Sequence, residues 1–149
     1  MDNKEKDYAQ SIGSFLMWFG TLEHALDIRI ADQIQEHYHE MGYLIIKDMK
    51  IIDKINFFYN ILFMKIHYCE NGKKKKKIMS QLLSIKKKLI VLNTLRNKIA
   101  HAKWYSLDKE GYVRTNIKRR KNDGSIVLEK HKITPLMMKS SVANFIAEL

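Results

Sequence analysis

From residue 78 to residue 92 apolar side chains recur at Ile78, Leu82, Ile85, Leu89 and Leu92, in steps of four, three, four and three. Only a helix puts such a series on one face, and the face must be buried against neighbours. A long helix is therefore predicted over about 75–101. The next position of the stripe is Arg96, a charge where a core residue is due. Arginine is almost never fully buried without a partner. Arg96 is expected either to bend out at the helix edge or to line a polar cleft. A second stripe, Ile12, Phe15, Leu16, Phe19, Leu22, Leu26 and Ile30, predicts a first helix over about 5–40, broken near its end. Gly13 and Gly20 weaken it modestly. Glu23 falls within that stripe and needs a cation or several donors if it is buried. Arg96 is the most economical partner; the alternative is that Glu23 sits at the stripe edge and reaches water.

The chain has 149 residues, 46% of them hydrophobic, enough for one domain spanning 1–149 with a real core. A single cysteine, Cys69, excludes an internal disulfide and fits a reducing compartment. The opening MDNKEKDY lacks the apolar stretch of a secretory signal, and no apolar run approaches the ~20 residues of a membrane-spanning helix. A cytoplasmic protein with no membrane partner is expected. The net charge of +11 is unevenly spread: residues 1–72 carry 7 Lys/Arg against 11 Asp/Glu, and residues 73–132 carry 19 against 4. A phosphate-bearing partner would be drawn to the basic stretch. The Lys73–Lys77 run after Asn71-Gly72 reads as a loop and helix start, not as a site by itself.

Met41-Gly42-Tyr43 marks a turn. A second long helix follows, with Ile51 or Ile52, Ile55, Phe58 or Tyr59, Leu62 and Ile66 on its buried face. Beyond residue 101 the period changes. Tyr112–Lys118 and Ile126–Lys132 read as strands, and Asn122-Asp123-Gly124-Ser125 supplies the turn of a β-hairpin. Thr134-Pro135 opens a last helix, with Thr134 as N-cap and Pro135 at the first helical position. Leu136, Met137, Val142, Phe145, Ile146 and Leu149 are expected to pack it back. The predicted fold is mainly α: an antiparallel bundle of four to five helices with a short β-hairpin before the C-terminal helix.

Arg96-Asn97-Lys98-Ile99-Ala100-His101 resembles the arginine, four residues, histidine signature of HEPN domains, in the form where a polar residue follows the arginine. The helical pattern agrees, since HEPN domains are small bundles with this motif at the end of a late helix. Phe19-Gly20-Thr21-Leu22-Glu23 resembles the acidic first-helix motif of many of them. The resemblance implies metal-independent RNA cleavage, by a homodimer that brings two motifs to one cleft. It also implies toxin–antitoxin or phage-defence biology, with a cognate antitoxin or regulatory protein as a further partner. The nucleotidyltransferase-paired branch of the family carries a tyrosine two residues after the motif histidine. Here that position is Lys103, and Tyr105 stands two further on.

The chemistry follows from side chains. RNA cleavage without metal uses the ribose 2′-OH as nucleophile on the adjacent phosphate. Histidine suits both the base and the acid roles. A planar, always-charged arginine suits the phosphorane oxygens. The candidate catalytic residues are thus His101, Arg96, Asn97 to orient either of them, and Glu23 behind Arg96. Asn97 and His101 share a helix face, whereas Arg96 and His101 lie about 140° apart. The plain alternative for His101 is a helix-end histidine facing the C-terminal dipole. Candidate RNA contacts are Lys103 and the Lys118, Arg119, Arg120 and Lys121 cluster on the hairpin. Trp104 and Tyr105 read as packing or as stacking platforms for a base. His24, His37, His39, His67 and His131 have no metal-ligand spacing with carboxylates or Cys69, so neither a metal site nor a cofactor is expected. The functional expectation is an endoribonuclease. The alternative is a non-catalytic HEPN-like module that dimerises and binds RNA or nucleotide.

Overall fold

The structure is a computed structural model that describes residues 3–34, 39–69, 72–120, 122 and 124–147. Among the described residues there are five α-helices and one two-stranded sheet. In chain order they are α1 (Asn3–Ile34), α2 (His39–Ile46), α3 (Ile51–Cys69), α4 (Gly72–His101), β1 (Tyr112–Arg119), β2 (Ile126–Lys132) and α5 (Pro135–Ala147). The protein is mainly α, with the antiparallel hairpin placed before the last helix, as the change of period predicts. No helix among the described residues is long and apolar enough to cross a membrane.

The chain divides into two compact units: Phe19–Asn93, and Met1–Trp18 together with Thr94–Leu149. Both boundaries fall inside helices, within α1 and within α4.

The unit Phe19–Asn93 buries Phe19, Leu26 and Ile30 of α1, Ile46 of α2, Ile55 of α3, and Leu82, Leu89 and Leu92 of α4. These are largely the stripe positions of the sequence. The expected turn at Met41-Gly42-Tyr43 is instead the middle of α2. Gly42 is there for space: a Cβ on it would stand 2.6 Å from the Ala31 Cα. The glycine lets α2 lie directly on the α1 backbone, and it costs the helix only about 1 kcal/mol relative to alanine.

In the other unit the core is Phe15 of α1, Ile99 of α4, Val113 of β1, Ile133, and Met138 of α5, each no more than 2% exposed. The buried face at the end of α4 runs through Leu95, Ile99 and Ala102. Arg96 is therefore half-buried at the flank, and the core slot expected at 96 falls at 95 instead. Thr134 caps α5 as predicted, with Met137 N donating to Thr134 Oγ1 at 3.2 Å. The packing face of α5 differs from expectation. Val142 and Phe145 pack inward, but Leu136, Met137 and Ile146 are exposed, and Met138 is the buried anchor. Leu149 lies outside the described residues. The hairpin turn is closed by Arg120 N to Ser125 O at 2.8 Å, with Gly124 at φ +69°. A positive φ is what a tight hairpin connection demands and what glycine supplies.

Candidate functional site

The end of α4 presents Thr94, Asn97, Lys98 and His101 at i, i+3, i+4 and i+7, one face of the helix. This face forms one wall of an open groove of about 1030 Å³. The hairpin forms the other wall, through Arg114, Thr115 and Lys118 of β1 and Glu129 and His131 of β2. Lys103 and Tyr105, on the segment joining α4 to β1, also line it.

A β-bulge shapes the hairpin wall. Arg114 pairs with Lys130 and Asn116 with Glu129, so Thr115 is an extra residue in β1. Its side chain is turned onto the partner strand. Thr115 Oγ1 lies 2.7 Å from His131 Nδ1 and 3.3 Å from the Glu129 carbonyl oxygen. Below the bulge, Lys103 N donates to Arg114 O at 2.7 Å and Arg114 N donates to Ser106 Oγ at 2.9 Å, which fixes the linker to the strand. The Arg114 guanidinium stands 5.3 Å from the Tyr105 ring centroid, within cation–π range.

Electrostatically the groove is cationic. Lys98, Lys103, Arg114 and Lys118 line it, against the single carboxylate of Glu129. Lys118 Nζ donates to Glu129 Oε1 at 2.9 Å. That hydrogen bond, aided by the charges of Lys118, His131 and Lys98, holds the Glu129 carboxyl below the usual glutamate range despite an opposing desolvation effect.

The residues singled out in the sequence fall into three groups. Asn97, His101, Lys103, Tyr105 and Lys118 line the groove together. Arg96, Trp104, Arg119 and Arg120 do not. Arg96 Nη1 donates to Asn97 Oδ1 at 3.1 Å, so its link to the groove runs through Asn97. Trp104 is half-buried: Nε1 donates to Ile99 O at 3.1 Å and the ring packs against the core. Tyr105, by contrast, is 80% exposed. Arg119 Nε donates to Gly124 O at 3.2 Å and braces the hairpin tip, and Arg120 is exposed there. Lys121 lies outside the described residues. Glu23 belongs to the unit Phe19–Asn93, where Lys54 of α3 stands 3.6 Å from it and 2.8 Å from Asp27. Lys54 is only 5% exposed and supplies the cation that the place of Glu23 calls for.

Arg114, Thr115, Glu129 and His131 join the groove without a motif to mark them. The signal available for the last two is period-two polarity: Val127, Glu129 and His131 are the half-buried positions of β2. Thr115 cannot be found that way, because the bulge breaks the period. Among the described residues no group of three or more His, Cys, Asp or Glu side chains is gathered so as to hold a metal ion.

The fold and groove thus define a mainly α protein with a basic, histidine-lined cleft between a helix end and a β-hairpin. No family model, curated protein or solved structure matches the chain.

Proposed function

We propose that the protein is an endoribonuclease of HEPN type that cleaves RNA without a metal, in a toxin-like or phage-defence role. The observation that carries this reading is the shared groove. His101, the motif histidine, opens onto a cleft with four cations from three chain segments, and the bulk of the basic excess lies in the same part of the sequence. Such a cleft attracts a phosphodiester and sets a proton-transfer group beside it. The 2′-oxygen attacks phosphorus as its proton passes to a base. The bond from phosphorus to the 5′-oxygen breaks as an acid protonates the leaving oxygen. His101 serves in this proton transfer, and Arg96, acting with Asn97, stabilises the phosphorane. Glu23, expected behind Arg96, has no step in this chemistry, since the cation it meets is Lys54 at 3.6 Å.

The test is cleavage of RNA in EDTA, with 2′,3′-cyclic phosphate ends as the expected product. His101→Ala and Arg96→Ala should each lower the rate by at least about 10²-fold. Full activity in both folded variants would place the active site elsewhere. The reading includes a twofold homodimer and a neutralising partner; a strictly monomeric light-scattering mass at micromolar concentration would remove the dimer.

One observation favours a second reading. The Arg96 guanidinium is engaged with Asn97 and does not line the groove. On that basis the cleft is a non-catalytic RNA- or nucleotide-binding site of a HEPN-like module. The same assay separates the two, since that module would bind RNA in EDTA and leave it intact.

A further inference from the structure

The groove holds a second imidazole that the motif does not contain. His131 comes from β2, and His101 comes from the end of α4 on the opposite wall. His131 is half-buried, and its Nδ1 lies 2.7 Å from Thr115 Oγ1. Thr115 Oγ1 is also a donor to the Glu129 carbonyl oxygen, at 3.3 Å. A hydroxyl can both give and accept, so Thr115 Oγ1 engages His131 Nδ1 at 2.7 Å whichever of the two donates. Nε2 is left to take up or release a proton. An imidazole held at one nitrogen by a fixed hydrogen-bond partner, and left reactive at the other, is the usual arrangement of a general acid–base histidine. The bulge makes it possible here, because the extra residue in β1 turns its hydroxyl onto the partner strand.

We infer that His101 and His131 divide the two proton transfers of RNA cleavage within a single protomer's groove, and that Thr115 is the positioning residue for His131. This rests on the ribonuclease reading and deepens it. One imidazole takes the 2′-hydroxyl proton as the 2′-oxygen bonds to phosphorus. The other, protonated, gives its proton to the 5′-oxygen as that oxygen leaves. The products are a 2′,3′-cyclic phosphate and a 5′-hydroxyl, and the two histidines have exchanged protonation states. Solvent resets them.

The experiment uses an RNA oligonucleotide that the wild-type protein cuts, and the same oligonucleotide with sulfur in place of the bridging 5′-oxygen at the cut bond. A thiolate leaves without protonation, so the sulfur substrate makes the acid dispensable but not the base. The variants are His101→Ala, His131→Asn and Thr115→Val. Asparagine keeps a polar group where Nδ1 meets Thr115 and removes Nε2, so the hairpin contact survives. Both histidine variants should lose about 10²-fold or more on normal RNA. One of the two, and only one, should return to within a few-fold of wild type on the sulfur substrate. Thr115→Val should show a smaller loss and the same response to sulfur as His131→Asn. Unchanged cleavage of normal RNA by His131→Asn would overturn the inference. So would failure of both histidine variants to recover, or recovery of both. If wild-type protein cuts neither substrate nor a random-sequence RNA pool, the ribonuclease reading falls and takes the inference with it. Intact wild-type cleavage with an indifferent His131 removes the inference alone.

Discussion

At Gly42 an added methyl group would stand 2.6 Å from one backbone carbon and 2.8 Å from the Cβ of Ala31, neither of which is the free end of a flexible chain. Gly42→Ala should therefore destabilise the protein by about 1–3 kcal/mol through overpacking, partly offset by its better helix propensity. Gly20, in α1, has nothing within 4 Å of the same hypothetical methyl. Gly20→Ala should accordingly stabilise by about 0.5–1 kcal/mol. Thermal melts of the two variants should shift in opposite directions; a common direction would mean that α2 does not lie on Ala31 as described. Lys54 follows the same logic. It sits among the apolar positions of α3, yet it is buried because Glu23 and Asp27 meet it from α1. Neither the glycine nor the lysine announces its reason locally, since each depends on what a second helix brings to it.

The elements legible in the sequence are those whose signals are local. The hairpin declares itself through two runs of strand period around Asn122-Asp123-Gly124-Ser125, and α5 through Thr134-Pro135. The short helix α2 reads as a turn in sequence, because its glycine answers to packing. The motif face of α4 is legible in part: Asn97 and His101 do share a wall, whereas the hairpin wall depends on a bulge that no periodicity marks. The start of β1 is pinned by a carboxylate. Asp108 Oδ1 accepts from Tyr112 N at 2.8 Å and from Glu110 N at 3.0 Å. The Tyr112 hydrogen bond is the main cause that holds its pKa below the ordinary aspartate value; burial opposes it, and Glu110, Lys130 and Gly111 add to it. A carboxyl with a depressed folded-state pKa stabilises the fold above the ordinary range of about 3.9 and loses that contribution as the pH falls through the lowered value. Asp108→Asn should thus flatten the acid limb of stability, followed by circular-dichroism melts between neutral and strongly acid pH. An acid limb as steep as that of wild type would show that other carboxyls carry it.

Over the whole molecule the basic excess falls into parts with different expected roles. Lys98, Lys103 and Arg114 line the groove, whereas Arg119 and Arg120 stand away from it near the hairpin tip. RNA affinity can be measured against salt in the His101→Ala background. Alanine at the three groove cations should weaken binding and flatten the salt slope by about 0.7 for each phosphate no longer neutralised, and serine at Arg119 and Arg120 should do little. The reverse pattern would move the RNA platform to the tip. The division of the chain has a consequence in time as well as in space. The unit that carries the groove takes Phe15 from its first segment and Ile133 and Met138 from its last, so its core closes across most of the sequence. A ribosome has made the His101 motif, and even both strands, before α5 exists to complete that core. Such long-range closure comes late in folding. A nascent chain therefore carries the motif, and every residue that lines the groove, before α5 has completed the core beneath them.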